Sequence, residues 1–140
     1  MFFQLSLASA LIAITVAIQA LFMSAGIHSM RSMQARRNPL LTSWPTSTTV
    51  IWVLFLLVAV VIDVLLWAAL YYFIGAIPNF EDSIYFSTVP FTTVGYGDIV
   101  LGREFRLLAT FEAVNGWIIF GWATALVMIV IQRLYMTDHG

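Results

Sequence analysis

Pro78-Asn79-Phe80-Glu81-Asp82-Ser83-Ile84-Tyr85-Phe86-Ser87-Thr88-Val89-Pro90-Phe91-Thr92-Thr93-Val94-Gly95-Tyr96-Gly97-Asp98 is too long for a hairpin and too apolar for a solvated loop. Asn79 can cap a short helix, with Glu81 and Asp82 favourable at the positive end of its dipole. The pattern predicts a helix from about Phe80 to Phe91 whose carboxyl end turns partial negative charge toward Thr92 and its successors. Pro90 falls in its last turn, removes a donor and frees the Phe86 carbonyl, so an early end or a kink is expected there.

The rest of the chain defines the surroundings of this stretch. Of 140 residues, 61% are apolar, 15% aromatic and only 9% charged, with a mean hydropathy of +0.95. A soluble domain carries roughly 25% charged residues, so there is too little charge here to coat a globule, and disorder is excluded by the same apolar excess. Residues 2 to 27 hold no charged side chain, residues 50 to 77 hold only Asp63, and residues 107 to 132 hold only Glu112. About 20 such residues cross a ~30 Å hydrocarbon layer as a helix, so three spans are expected, each with some tilt or overhang. The first is read as a span and not as a cleaved signal peptide, because Met1-Phe2-Phe3-Gln4 has no basic side chain and its apolar run exceeds the usual 7–15 or so residues.

Arginine sets the expected orientation. The segment from His28 to Thr49 holds Arg31, Arg36 and Arg37 and no acid, and Arg133 adds to the same side. The segment from Pro78 to Arg106 holds Glu81, Asp82, Asp98 and Glu104 against Arg103 and Arg106. The amino terminus is therefore expected outside and the carboxyl terminus in the cytoplasm of a multi-pass cell-membrane protein. Trp44, Trp52, Trp67, Tyr71, Tyr72 and Tyr135 fall near expected helix ends, where amphipathic rings favour the headgroup zone. Trp117 and Trp122 lie deeper and are expected to pack between helices. Pro39 and Pro45 mark a turn in the linker, with Thr46, Ser47 and Thr48 as candidate caps of the second span. No internal repeat is visible.

Thr93-Val94-Gly95-Tyr96-Gly97, extended by Thr92 before it and Asp98 after it, resembles the selectivity filter of potassium channels. A dehydrated cation needs oxygen ligands in place of lost water, and a ring of backbone carbonyls from four chains supplies them. Gly95 and Gly97 permit backbone angles that a residue with Cβ resists. The resemblance implies that the carbonyls of Thr93, Val94, Gly95 and Tyr96 form stacked potassium sites, with the Thr93 hydroxyl closing the innermost one. It implies that Tyr96 and Asp98 brace the filter from behind, with Thr92 as further support, and that Gly97 sits at the outer mouth.

The resemblance covers about residues 50 to 133, in the order outer helix (50–77), pore helix (80–91), filter (92–98) and inner helix (105–134). A peripheral helix (1–27), a cytoplasmic linker (28–49) and a short tail (135–140) lie outside it. Gly116 and Gly121 are candidates for the glycine at which inner helices of this family bend. Close packing is the alternative for both, through small residues in Gly121-Trp122-Ala123-Thr124-Ala125. The chain departs from better-known members in Pro90, in Val89 where some bacterial relatives carry a carboxylate, in the aromatic pair Tyr85-Phe86, and in a short turret of Ile99 to Gly102.

Asp63 and Glu112 are acids at similar depth in the layer, where charge is costly and usually marks a partner or a function. Both are expected to face protein, with at least one protonated or bonded to Asn115, Thr110 or the helix end loosened by Pro90. A purely structural hydrogen bond is the alternative. Gln4, Gln19 and Ser24 are candidates for a protein-facing stripe on the first helix. No span carries arginines at every third position, so a voltage sensor of the usual kind is not expected. Only Leu134 to Gly140 come after Arg133, so no cytoplasmic ligand-binding domain is expected either.

The expected molecule is thus an all-α integral membrane protein with three spans, a re-entrant pore helix and a filter loop, assembling as a homotetramer in the lipid bilayer. It would conduct potassium ions passively. A non-conducting or regulatory membrane subunit, or a weakly selective cation channel, is the alternative. An enzyme is not expected, because no nucleophile and base are recognisably paired around His28 or His139. No cofactor is expected beyond the permeant potassium ion. With no cysteine, thiol chemistry and Cys-ligated metals are excluded. A net charge of −1 offers no footprint for nucleic acid.

Overall fold

The computed structural model describes residues 2–35 and 45–135. Linker residues 36–44, with Arg36, Arg37, Pro39 and Trp44, and tail residues 136–140 lie outside the described residues, as do the side chains of Arg31, Arg133 and Tyr135. Four helices make up the described chain: α1 (Phe2–Ala35), α2 (Pro45–Phe73), α3 (Phe80–Phe91) and α4 (Arg106–Tyr135). Three of them are long and apolar enough to cross a membrane, over Phe2–Ser29, Ser47–Phe73 and Arg106–Gln132. The fold is all-α, with the short α3 and its loop inserted between two long helices.

The helix ends obey local chemistry. α1 runs on to Ala35, past the limit that hydropathy alone suggests, because no proline or glycine interrupts residues 27 to 38. α2 starts on Pro45, whose fixed φ and missing donor suit a first helical position. Thr46, Ser47 and Thr48 therefore lie inside its first turn and not ahead of it. α2 stops at Phe73 and does not reach residue 77, because Gly75 takes a φ of 71°. The Gly75 N–H donates to the Tyr72 carbonyl at 3.1 Å and the Ala76 N–H to the Tyr71 carbonyl at 2.9 Å, the bond pair of a Schellman ending. At α3, the Asn79 side-chain oxygen accepts from the Glu81 N–H at 3.0 Å. Neither an early end nor a break occurs at Pro90, since the helix continues through it to Phe91. A proline this close to the terminus forfeits one intrahelical bond.

Two clusters fix how the helices sit. At one end of the molecule Ala8 of α1, Trp67 and Tyr71 of α2, Phe86 and Phe91 of α3 and Leu108 of α4 share a core. At the other end Trp52 packs with Val130, and the Phe22 and Phe55 rings lie 5.0 Å apart. α1 is therefore antiparallel to α2 and parallel to α4, with α3 tucked at the end where α2 stops and α4 begins. The α1 face that meets its neighbours carries Ala8, Thr15, Gln19 and Gly26, at heptad-like spacing. Of the expected stripe only Gln19 is fully buried; Gln4 is half-buried and Ser24 is exposed, because they lie off this face. α4 buries Leu108, Glu112, Asn115, Ile119, Leu126 and Val130 along one face. Trp117, at 72% exposure, projects from another face, whereas Trp122, at 39%, lines a cleft between α4 and Ala20, Met23 and Ile27 of α1.

Candidate functional site: the loop between α3 and α4

The end of α3 and the loop are joined by backbone bonds. The N–H groups of Thr92, Thr93 and Val94 donate to the carbonyls of Thr88, Pro90 and Val89 at 3.1, 2.9 and 3.0 Å, and the Gly95 N–H reaches the Val89 carbonyl at 3.4 Å. These bonds satisfy carbonyls that a helix end leaves orphaned, and they turn the loop's first donors back into the helix. Among the described residues, the carbonyls of Thr93, Val94, Gly95, Tyr96 and Gly97 accept no hydrogen bond. φ is positive at Thr93 (60°), Gly95 (64°) and Gly97 (78°), and not at Val94 and Tyr96 between them. Alternation of handedness cancels the zigzag of an ordinary extended chain, in which neighbouring carbonyls point opposite ways. Two glycines adopt positive φ at little steric cost, but Thr93 is β-branched and pays roughly 1–2 kcal/mol for it. Strain of this kind persists only where surrounding structure imposes it, and it clusters at functional sites.

The outer part of the loop is tied by a side chain. The Tyr85 hydroxyl of α3 donates to Asp98 Oδ2 at 2.6 Å. That bond holds the Asp98 carboxyl below its ordinary range and pushes the Tyr85 phenol up. Tyr96 is 72% exposed. Behind the loop lies a cleft of about 190 Å³, lined by Phe86, Val89, Pro90, Gly95 and Arg106 among others. The Arg106 Nε donates across it to the Leu101 carbonyl at 3.3 Å.

α4 supports the site from beneath. A Cβ built on Gly116 would stand 2.0 Å from the Phe91 carbonyl oxygen, so α4 approaches the last residue of α3 closely only because position 116 has no side chain. Gly121 has nothing within 4 Å of such a Cβ, so it makes no close packing contact in this chain.

Both acids face protein, and both are fully buried. Glu112 bonds neither Asn115 nor Thr110: the Tyr71 hydroxyl donates to its Oε2 at 2.7 Å, and the Ser87 hydroxyl lies 2.5 Å from its Oε1. Thr110 bonds its own helix at the Arg106 carbonyl, and Asn115 Nδ2 instead donates to Thr15 Oγ1 of α1 at 2.8 Å. Among the described residues, the side chains of Asp63 and Gln19 and the Trp67 indole N–H find no hydrogen-bond partner. Tyr71, Ser87 and Thr15 were not legible as partners from sequence alone. Their signal was weak, a polar group on the buried face of an apolar helix, but Tyr71 and Ser87 do meet at Glu112. Among the described residues, no three His, Asp or Glu gather as metal ligands.

A family model described as Ion channel matches residues 59–133, a range that holds the second half of α2, all of α3 and the loop, and most of α4. No curated protein and no solved structure matches the chain. The match spans more than half of the 140 residues and takes in every element that builds the strained loop and its supports, so the chain belongs to this ion channel family.

Proposed function

We propose that this chain is the subunit of a passive, potassium-selective channel in which four copies surround a central pore. Membership of an ion channel family and three apolar membrane-spanning helices support ion transport across a membrane. The finer reading rests on one observation: alternating φ at Thr93, Gly95 and Gly97, with the donors of Thr92 to Gly95 turned back into α3 and the carbonyls of residues 93 to 97 unpaired. Such a strand offers a row of oxygens to a cation that has shed its water. One strand cannot encircle an ion, so the mechanism requires fourfold assembly. In this reading Thr93, Val94, Gly95, Tyr96 and Gly97 hold potassium, Thr92 and Asp98 support them, and ions pass in file because repulsion from the next ion balances binding at each site. In the same reading the loop lies outside and the carboxyl terminus in the cytoplasm, as the arginine distribution suggests.

The test is flux from liposomes loaded with potassium salt, with potassium or sodium outside and Gly95→Asp in parallel. Potassium-selective flux that barium blocks and the substitution abolishes is the expected result. Equal sodium flux would leave a cation channel without selectivity, and no flux from a verified tetramer would overturn self-sufficient conduction.

A further inference from the structure

Three polar contacts meet in one buried spot where α2, α3 and α4 converge. The Ser87 hydroxyl oxygen lies 2.9 Å from the Val64 carbonyl oxygen and 2.5 Å from Glu112 Oε1, and the Tyr71 hydroxyl oxygen lies 2.7 Å from Glu112 Oε2. Each is a hydrogen-bond distance, and each bond needs its own proton. A carbonyl and an ionised carboxylate only accept, whereas Ser and Tyr supply one proton each. Two hydroxyls cannot furnish three bonds. Ser87, Glu112 and Tyr71 are fully buried, so water does not reach the spot to make up the difference. The third proton belongs to the carboxyl, on Oε1: Glu112 donates to Ser87, Ser87 donates to the Val64 carbonyl, and Tyr71 donates to Oε2.

We propose that Glu112 is held as a neutral carboxylic acid whose proton completes this chain, and that the chain latches α3 to α2 and α4. Glu112 is then a positioning residue for the loop, since α3 leads into Thr92 and its last carbonyls hold the N–H groups of Thr92 to Gly95. Loss of the proton leaves a buried charge and draws the Ser87 hydrogen to Oε1, away from Val64. Alkaline pH therefore unlatches α3. The other titratable or charged groups on the elements packed there are Asp63 and Tyr72 on α2, Glu81, Asp82 and Tyr85 on α3, and Arg106, Arg133 and Tyr135 on α4, the last two more than 20 residues along the helix from Glu112, with none on α1 between Phe2 and Ile27. Among the described side chains of this set and Tyr71, only Tyr71 bonds to Glu112. The consequence for conduction rests on the channel reading; the protonation state does not.

Glu112→Gln separates the outcomes, because its amide can donate to Ser87 and accept from Tyr71 as the neutral acid does. The infrared spectrum of the purified wild type at neutral pH is expected to contain a carboxylic-acid carbonyl band that Glu112→Gln lacks. The unfolded chain releases this proton above about pH 4, so the thermal midpoint of the wild type should fall relative to Glu112→Gln as pH rises from there. In liposomes, wild-type flux should drop at alkaline pH while Glu112→Gln keeps a flat profile, and Ser87→Ala should reduce flux at all pH values. An unchanged infrared spectrum, or a Glu112→Gln protein that melts lower than the wild type at neutral pH, overturns the neutral acid. Parallel pH profiles of flux in the two proteins overturn the latch. Absence of flux from every variant and the wild type counts against the channel reading alone, since the spectrum and the melting curve still decide the proton.

Discussion

The Phe91 carbonyl and Gly116 meet so closely that a Cβ at position 116 would stand 2.0 Å from the oxygen. The base of α3 rests on the backbone of α4 with no side chain between them. The residue next after Phe91 opens the strained loop, so the height of that loop is set by a glycine on the next helix.

Gly116→Ala should therefore be costly. Backbone cannot give way as a flexible side chain can, and overpacking costs about 1–3 kcal/mol, with this clash at the upper end. Gly121→Ala, with open space around its Cβ, should change fold stability by less than about 0.5 kcal/mol. Thermal midpoints of the two purified variants check the contrast. Equal midpoints would mean that the two helices separate readily.

Tyr85→Phe should release Asp98. The hydroxyl bond holds the Asp98 carboxyl low, so its contribution is present above the ordinary carboxyl value of about 3.9 and is lost only as pH falls through the lowered one. Without the hydroxyl, the Asp98 titration should move up toward that ordinary value. Carboxyl carbon shifts in a protein labelled at aspartate would track it, and an unmoved midpoint would assign the shift to backbone donors.

The Thr15–Asn115 bond should couple α1 to α4. Interhelical hydrogen bonds inside bilayers average about 0.6 kcal/mol and reach about 1.7. Thr15→Val and Asn115→Leu are each expected to destabilise, and the double variant should lose less than the sum. Strict additivity in unfolding free energies would show that the contact carries no coupling.

Gly75→Ala tests conformation without contact. Nothing stands within 4 Å of a Cβ there, yet φ is 71°, so the cost should be the left-handed penalty alone, about 1–2 kcal/mol. Replacement by asparagine, which tolerates this region better, should recover part of it. Unfolding by denaturant reads both.

Three spans were legible because so few charges interrupt the apolar runs, and the start of α3 was legible because Asn79 combines a capping side chain with acids in the first turn. The end of α2 was not. Hydropathy carries on to Ile77, and Gly75 stops the helix through its backbone angle, which hydropathy ignores. Within the site, Glu112 stood out as an acid in an apolar run, but its partners did not. Tyr71 is a sequence neighbour of exposed Tyr72, and only the rotation of α2 decides which of the two turns inward. Thr15 is no more conspicuous in the sequence than Gln4 or Ser24, because one apolar helix gives no internal clue to its buried face; the faces of α2 and α4 decide it.

Thr15 and Asn115 are 100 residues apart in the chain. At about 5–20 residues added per second, α1 leaves the ribosome some 5–20 seconds before the helix that supplies its hydrogen-bond partner. In that interval α2 is the neighbour at hand to shield its polar side chains, since α1 packs on α2 and α4. The hydrogen bond that ties α1 to α4 therefore forms only after α2 and α3 have both been made.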